Sequence, residues 1–264
     1  MKLADKVSII TGGAKGIGFG CAKVFCQHGG QVVIADKDEP GGRAAVQSLN
    51  ECGGQTNYLR CDVTCEADMY RVIDGTVEKY GKLDCIVNNA GWHPPPMTID
   101  QTSVTDFEAQ LRLNLTSTFM GCKFAVPHLR KTKGNIVIIA SEVAVIGQTE
   151  ACAYAASKAG QIGLVRALAL DLAPEGIRVN AVCPSTVMTP LMREWAASLP
   201  NPDEALRRVE QFQPGGRMAT IEEMGEVCAF LASNEASFVT GQAIVADGGA
   251  MLGYGIKGPE VSDQ

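Results

Sequence analysis

The chain has 264 residues, of which 46% are apolar and 20% charged, which is typical of a globular protein. Its formal net charge of −6 argues against nucleic acid or an anionic membrane as the main partner, because both favour basic surfaces. No apolar run reaches the roughly 18 residues that a membrane span needs, and the first residues do not resemble a secretory signal, so we expect a cytoplasmic protein.

Seven short apolar runs predict β-strands, at residues 7–11, 32–36, 56–62, 83–89, 135–141, 178–184 and 243–248. Between them, apolar residues recur at helical spacing in segments 17–28, 41–52, 66–80, 103–130, 152–173 and 221–233. Strands separated by helices of this length pair in parallel through right-handed crossovers. The sequence therefore predicts an α/β fold: one doubly wound, Rossmann-type domain over residues 1–264, with helices on both faces of a seven-stranded parallel sheet.

One irregular stretch, residues 185–220, interrupts this alternation with prolines and glycines around short helical pieces. It follows the sixth strand, and the carboxyl ends of parallel strands are where such sheets bind ligands. We therefore predict a substrate-binding lid over residues 185–220, with a plain surface loop as the alternative.

The ten cysteines and three histidines show none of the spacings typical of a zinc or redox site. Several cysteines lie inside apolar runs, such as Cys85 and Cys183. We interpret the cysteines as small buried side chains in a reducing compartment, and we expect no bound metal.

A glycine-rich turn links the first strand to the first helix. Glycines in such a turn let the backbone approach a pyrophosphate, and the new helix offers free N–H groups and its positive dipole end to that anion. The second strand ends in Asp36, 18 residues after Gly18, which is the spacing of a carboxylate that binds the adenosine ribose. The sequence thus predicts a dinucleotide site that includes Gly12, Lys15, Gly16, Ile17, Gly18 and Asp36.

Asp36 favours NAD over NADP, because a carboxylate at the ribose repels a 2′-phosphate. Lys15 and Lys37 act in the opposite direction, since either can pair with that phosphate. We expect a fixed carboxylate to outweigh two flexible, solvated lysines. The alternative for Asp36 is a helix N-cap or a solvated strand end.

Two further strand ends face the same crevice. Asp62 and Val63 close the third strand at a position suited to the adenine. Asn89, Ala90 and Gly91 follow the fourth strand, with small side chains where the backbone passes close to the cofactor.

A tyrosine and a lysine spaced for one face of a helix provide the predicted chemistry. Tyr154 opens the helix predicted at 152–173, and Lys158 lies one turn later. Hydride transfer at a carbinol carbon requires proton transfer at its oxygen, and a nearby ammonium and a nicotinamide cation would lower the phenol pKa. We expect Ser141, at the end of the fifth strand, to bind the substrate oxygen, and Asn114 to hold a water that passes protons to Lys158.

Together these residues resemble the short-chain dehydrogenase/reductase family over about residues 4–253. The matching motifs are Thr11-Gly12-x-x-x-Gly16-x-Gly18, Asp62-Val63, Asn88-Asn89-Ala90-Gly91, Asn114, Ser141 and Tyr154-x-x-x-Lys158. The resemblance implies a catalytic set of Asn114, Ser141, Tyr154 and Lys158, with Tyr154 and Lys158 also contacting the cofactor. It further implies that Thr189, with Pro184 and Val187, completes the nicotinamide site, and that the protein is a homotetramer built on helices 103–130 and 152–173.

The sequence departs from the family at one position. The family usually has Pro-Gly after the sixth strand, whereas this chain has Pro184-Ser185. A side chain at Ser185 puts the detailed backbone geometry near the nicotinamide in doubt.

Four segments are similar to the branch of the family that contains 17-beta-hydroxysteroid dehydrogenase type 14 and the L-fucose dehydrogenases: residues 88–96, 146–148, 189–191 and 248–255. That similarity implies oxidation of a secondary or anomeric alcohol with NAD. It also implies substrate contacts from His93, Gln148 and Tyr254, in addition to Ser141, Glu142 and Tyr154.

The polar residues near the predicted centre favour a small sugar or polyol, because burying Glu142 without a partner against a steroid carries a desolvation penalty. The alternatives are solvent-facing or helix-capping roles for Glu142 and Glu150, and a plain loop role for His93. A hydroxysteroid or other lipophilic alcohol dehydrogenase is the second hypothesis. A catalytically silent dinucleotide-binding regulator is the third, and the intact Ser141, Tyr154 and Lys158 argue against it.

Overall fold

The computed structural model describes residues 1–252. Its sheet contains seven strands: β1 Val7–Thr11, β2 Gln31–Asp36, β3 Gln55–Arg60, β4 Cys85–Asn88, β5 Asn135–Ile139, β6 Arg178–Pro184 and β7 Ala243–Ala246. All six pairings are parallel, in the order β3-β2-β1-β4-β5-β6-β7. The predicted doubly wound, seven-stranded parallel sheet is confirmed. The order in which strands are added to the sheet reverses between β1 and β4, so the crevice of the fold opens at their carboxyl ends.

The helices of the described chain are α1 Gly16–Gln27, α2 Glu39–Glu51, α3 Glu66–Tyr80, α4 Val104–Leu111, α5 Ser117–Thr132, α6 Val143–Ile146, α7 Cys152–Leu172, α8 Pro190–Ala197, α9 Pro202–Glu210 and α10 Ile221–Ala232. They cover both faces of the sheet. Adjacent residues show this best: Ile9 and Ile10 are both fully buried, but their side chains enter different hydrophobic clusters. A strand buried on both faces is apolar at most positions, which explains the nearly continuous apolar runs in the sequence.

The helix predicted at 103–130 is interrupted. The structure has α4, then a π-helical turn over Arg112–Thr116, then α5 with Pro127 inside it. The wide turn alters the intrahelical pairing around Asn114, whose carbonyl accepts hydrogen bonds from Gln161 Nε2 and Thr118 Oγ1, both at 2.8 Å. The spacing of apolar residues cannot predict such a turn, because polar side chains of α5 and α7 stabilise it. π-turns of this kind often occur at functional sites.

The 185–220 segment leaves and rejoins the body of the protein at nearly the same place. Val187 pairs with Ala219 in an isolated parallel bridge, and α8 and α9 lie between these two positions. The role of this segment as a lid stays a prediction. Separately, no helix within residues 1–252 is long and apolar enough to cross a membrane.

Six of the ten cysteines are buried, as the apolar runs predict. Cys52 and Cys65 are exposed, so the interpretation as buried side chains is wrong for these two. Cys52 ends α2 and Cys65 precedes α3, at helix boundaries that face solvent.

Candidate active site

The glycine-rich turn after β1 has the backbone that its sequence predicts. Gly12 and Gly16 have φ of 64° and 60°, a left-handed conformation that favours glycine. A Cβ atom on Gly18 would lie 2.2 Å from the Gly12 carbonyl oxygen, so α1 packs against the turn too closely for any other residue. The turn and the first N–H groups of α1 therefore form a cradle suited to a pyrophosphate.

Asp36 is held firmly at the end of β2. Its Oδ2 accepts a hydrogen bond from the Ala14 backbone N–H and its Oδ1 from the Asp38 N–H, both at 3.0 Å. The N-cap of α2 is Asp38, which accepts from the Gly41 N–H, so the capping alternative belongs to Asp38. The Ala14 contact ties the carboxylate of Asp36 to the glycine-rich turn and orients it toward the crevice.

The end of β4 is bonded to the same turn. The Asn89 side-chain amide donates to the Thr11 and Gly12 carbonyl oxygens at 2.8 and 3.1 Å. Thr11 Oγ1 accepts from the backbone N–H groups of Asn89 and Ala90, both at 3.0 Å. A Cβ atom on Gly91 would lie 2.9 Å from Asn114 Oδ1, so the glycine allows this loop to lie against the π-turn.

Asp62 and Val63 differ in exposure. Val63 is buried in the core, while the Asp62 carboxylate is partly exposed. Asp62 Oδ1 accepts from the Thr64 hydroxyl at 2.7 Å and the Thr64 N–H at 2.9 Å, and these bonds hold the pKa of Asp62 below its usual range. Asp62 is thus an ionised acceptor at the end of β3.

Lys158 and Tyr154 share one face of α7. The Lys158 ammonium is buried, donates to the Ile139 carbonyl at 2.7 Å, and lies 5.7 Å from the centroid of the Tyr154 ring. Burial lowers the pKa of Lys158 to about 8. The lysine therefore changes its protonation near physiological pH, beside the phenol.

The lowering of the Tyr154 pKa by the ammonium and the nicotinamide ring together stays a prediction, while the protein groups alone act in the opposite direction. Burial raises the pKa of Tyr154 to about 12, although the Ser141 hydroxyl acts to lower it, and the Glu142 charge raises it further. The ammonium of Lys158 donates to the Ile139 carbonyl. The sequence shows the cation near Tyr154 but does not show how deeply the phenol is buried.

The fully buried Asn114 connects the π-turn to both neighbours of the site. Its Oδ1 accepts from the Trp92 N–H at 3.0 Å, and its Nδ2 donates to the Trp92 carbonyl at 3.2 Å and to Ser157 Oγ at 3.1 Å. The side chain thus holds the loop after β4 against α7. The backbone carbonyl oxygen of Asn114 accepts hydrogen bonds from Gln161 and Thr118.

His93 and Gln148 come together above Tyr154. The His93 and Tyr154 ring centroids are 4.3 Å apart with the ring planes at 51°. Nε2 of His93 lies 3.0 Å from Gln148 Oε1, and its Nδ1 lies 2.7 Å from the Pro94 carbonyl oxygen. Two polar partners and a ring contact hold the imidazole of His93 in place. A loop histidine without a specific role would not need these contacts.

Glu142 does not face bulk solvent, and it does not cap α7, which is preceded by Ala151. Its Oε1 accepts from the Ser185 hydroxyl at 2.8 Å, and burial raises the pKa of its carboxyl group. Ser185 in turn accepts from Gln213 Nε2 at 3.0 Å. The sequence analysis missed Gln213, since a single glutamine in an irregular stretch carries no signal. Glu150 is exposed, in agreement with its solvent-facing alternative.

The beginning of the 185–220 segment lies over the glycine-rich turn. Thr189 caps α8 by accepting from the Met192 N–H at 3.2 Å, and its Cγ2 would lie 3.7 Å from a Cβ atom on Gly16. Pro184 and Val187 are buried beside it, while Lys15 is exposed. Tyr254 lies outside the described residues.

A cavity of about 320 Å³ borders Tyr154 on the side of α4. Mostly apolar side chains line it, among them Trp92, Pro94, Met97 and Leu113. A volume near 300 Å³ is at the lower end of the range for small-molecule pockets.

Comparisons with known proteins agree with this geometry. A family model described as Enoyl-(Acyl carrier protein) reductase matches residues 12–251. The chain belongs to the short-chain dehydrogenase/reductase family. An L-fucose dehydrogenase of Bos taurus is 46% identical over 256 residues, which cover 97% of this chain and 93% of that protein. One of Oryctolagus cuniculus is 46% identical over 254 residues, covering 96% and 88%. The crystal structure of Cj0485 dehydrogenase has a TM-score of 0.89 at 35% identity, covering 94% and 95%.

These findings confirm the predicted family, its branch and the class of enzyme. The protein is a short-chain dehydrogenase/reductase that uses a nicotinamide dinucleotide. The turn, the fixed carboxylate of Asp36 and the close approach of Thr189 to Gly16 fit such a cofactor.

Proposed function

We propose that this protein is an NAD-dependent dehydrogenase that oxidises a secondary or anomeric alcohol of a small sugar or polyol. The observation that supports it most is the buried Lys158 one helical turn from Tyr154, whose phenol interacts with Ser141. The family relatives named L-fucose dehydrogenase support the same substrate class.

In this proposal the bound cofactor supplies the hydride acceptor, and the chain manages the proton. Ser141 and Tyr154 bind the substrate hydroxyl, and Tyr154 takes its proton. Lys158 holds positive charge beside the phenolate, which offsets part of the cost of burying it. Asn114 positions the loop at Trp92 and α7, and so fixes the site from behind.

We assign the cofactor site to Gly12, Lys15, Gly16, Ile17, Gly18, Asp36, Asp62, Val63, Asn89, Ala90, Gly91, Tyr154, Lys158, Pro184, Val187 and Thr189. Asp36 makes NAD the preferred form. Its two backbone hydrogen bonds keep the carboxylate in place, so a 2′-phosphate would meet an anion that cannot turn away. Lys15 and Lys37 are exposed, and their flexible ammonium groups offset little of the repulsion between Asp36 and a 2′-phosphate.

His93 and Gln148 are the proposed substrate-binding pair, together with Ser141, Glu142, Tyr154 and Tyr254. The imidazole lies against the Tyr154 ring and its Nε2 meets the Gln148 amide, so both carry polar atoms near the phenol. Polar groups of this kind suit a polyhydroxylated substrate and discriminate against analogues that lack the hydroxyls.

One observation favours a second candidate, a dehydrogenase of hydroxysteroids or other lipophilic alcohols. The cavity beside Tyr154 is lined mostly by apolar groups, which would bind a flat or aliphatic body better than a sugar.

We further propose a homotetramer of single-domain subunits. Val104 on α4, Phe119 on α5 and Leu170 on α7 are large apolar residues with 73%, 48% and 79% exposure. Pairing of these helices between subunits would cover them. Light scattering on the purified protein tests the mass, and a monomer would contradict the assignment.

A substrate panel tests the proposed function. The protein is assayed with aldoses, polyols, steroids and simple cyclic alcohols, each with NAD and with NADP, and reduced nicotinamide is measured by its absorbance. We expect turnover of sugars or polyols with NAD. Turnover of steroids or cyclic alcohols alone would select the second candidate.

A further inference from the structure

A polar cluster lies where the ends of β5 and β6 meet the end of the 185–220 segment. Gln213 donates through Nε2 to Thr186 Oγ1 at 2.6 Å and to Ser185 Oγ at 3.0 Å. The Ser185 hydroxyl donates to Glu142 Oε1 at 2.8 Å. The side chain at the position where the family usually has glycine is thus the central member of a hydrogen-bond chain.

Two acceptors of this cluster have no partner among residues 1–252. Glu142 Oε2 and Gln213 Oε1 are both buried, and no donor of that part of the chain hydrogen-bonds to them. The Gln213 side chain belongs to a residue only 4% exposed. Buried oxygens of this kind are costly unless a donor reaches them, so two of them on neighbouring side chains indicate a missing donor.

The charges around the cluster select the kind of donor. Burial raises the pKa of Glu142, and the negative charge of Asp247 raises it further. Both carboxylate oxygens of Asp247 are occupied by the backbone N–H groups of Gly249 and Met251, at 2.9 and 2.8 Å. No cation pairs with either carboxylate within residues 1–252. An environment rich in acceptors suits neutral hydroxyl donors and opposes an acidic substrate.

The cluster is also close to the predicted chemistry. Glu142 directly follows Ser141, and its charge acts on the Tyr154 phenol. Glu142 is therefore a neighbour of the predicted reacting centre.

We propose that Glu142, Ser185 and Gln213 form a subsite for the hydroxyl groups of the substrate that lie away from the reacting carbon. The inference rests on the proposed sugar or polyol dehydrogenase. Glu142 Oε2 and Gln213 Oε1 each accept one substrate hydroxyl hydrogen, and Ser185 keeps the two side chains at a fixed separation. The substrate class is thus a compound with two hydroxyl groups beyond the one oxidised, rather than a mono-alcohol.

The test measures discrimination between a sugar and its deoxy analogues. The sugar or polyol that the wild type oxidises fastest is compared with each monodeoxy analogue, by kcat/KM, in the wild type, Gln213→Leu and Ser185→Gly. Ser185→Gly introduces the residue usual in the family, so it keeps the fold. Gln211→Leu, an exposed glutamine two residues away, is the matched control.

We expect the wild type and Gln211→Leu to disfavour at least one deoxy analogue by about 10- to 100-fold, as a polar site rejects a ligand that leaves its groups unpaired. Gln213→Leu and Ser185→Gly should reduce that discrimination to less than about threefold, mainly by lowering kcat/KM for the parent sugar. Retained discrimination in both variants would overturn the subsite. Absence of any sugar or polyol turnover by the wild type would instead overturn the proposed function.

Discussion

The side-chain amide of Asn114 pairs with both backbone groups of Trp92, accepting from its N–H at 3.0 Å and donating to its carbonyl at 3.2 Å. The amide makes the two hydrogen bonds that a residue of an adjacent strand would make, and so holds the loop in place. The same side chain donates to Ser157 on α7, so one residue connects the loop after β4 to the helix that carries Tyr154.

Asn114→Ala should destabilise the protein and loosen this loop. The Trp92 N–H would lose its partner, and a buried unsatisfied group costs about 1–3 kcal/mol in the free energy of unfolding. The Trp92 carbonyl keeps the Gln110 amide at 2.6 Å. Urea unfolding at one protein concentration measures the loss. Ser157→Ala, which leaves both Trp92 bonds intact, is the control and should cost less. Equal losses would show that the Trp92 pairing contributes nothing.

Tyr154→Phe should lower kcat by about 10²- to 10⁴-fold, the range that general acid–base groups contribute. The substitution removes only the hydroxyl, so the affinity for NAD should change less than about threefold. Steady-state assays measure the first quantity and fluorescence titration the second. Substantial remaining activity would refute the assignment of Tyr154 as the proton acceptor.

The affinity for oxidised NAD should increase with pH through Tyr154. Burial raises the pKa of the phenol to about 12 in the free protein, and the positive nicotinamide ring lowers it in the complex. Because the complex then binds fewer protons than the free protein between those two pKa values, Kd should fall as pH rises through that window. Titrations from about pH 7 to about pH 10 test this linkage. Reduced NAD, whose ring is neutral, is one control. Tyr154→Phe is the other, because it retains the Lys158 titration and removes that of the phenol. An identical pH dependence in wild type and variant would contradict the prediction.

Asp36→Ala should weaken the preference for NAD over NADP. Loss of the carboxylate removes both the ribose contact and the repulsion of a 2′-phosphate, so the ratio of kcat/KM values for the two cofactors should fall by about 10-fold or more. Asp38→Asn is the matched control, since asparagine keeps the N-cap of α2 and removes a neighbouring charge. An unchanged ratio in Asp36→Ala, or an equal change in Asp38→Asn, would show that Asp36 does not select the cofactor.

The sequence predicted the strands well, because short apolar runs are typical of strands that are covered by helices on both faces. β1 and β6 have the predicted bounds, and the other strands differ at their ends by one or two residues. The parallel pairing of the sheet followed from the alternation of strands and helices. The glycine positions were also predictable, since close approach at Gly18 and positive φ at Gly12 leave no other residue type.

What the sequence did not predict depends on three-dimensional packing. The π-turn at Arg112–Thr116 is held by Gln161 and Thr118 from other turns and helices, so local spacing cannot indicate it. The pKa of Tyr154 is raised mainly by burial, which the sequence does not reveal. Gln213 joins the cluster only because the 185–220 segment folds back onto Ser185.

That fold-back has a consequence for how such an enzyme diverges. Since Val187 and Ala219 are paired, the chain between them begins and ends at one point. Lengthening the loop between these two residues costs little additional conformational entropy and leaves β6 and α10 in place. Exchange of α8 and α9 with the equivalent helices of a relative should therefore yield a folded chimera. Such an exchange would leave the sheet and the catalytic residues unchanged.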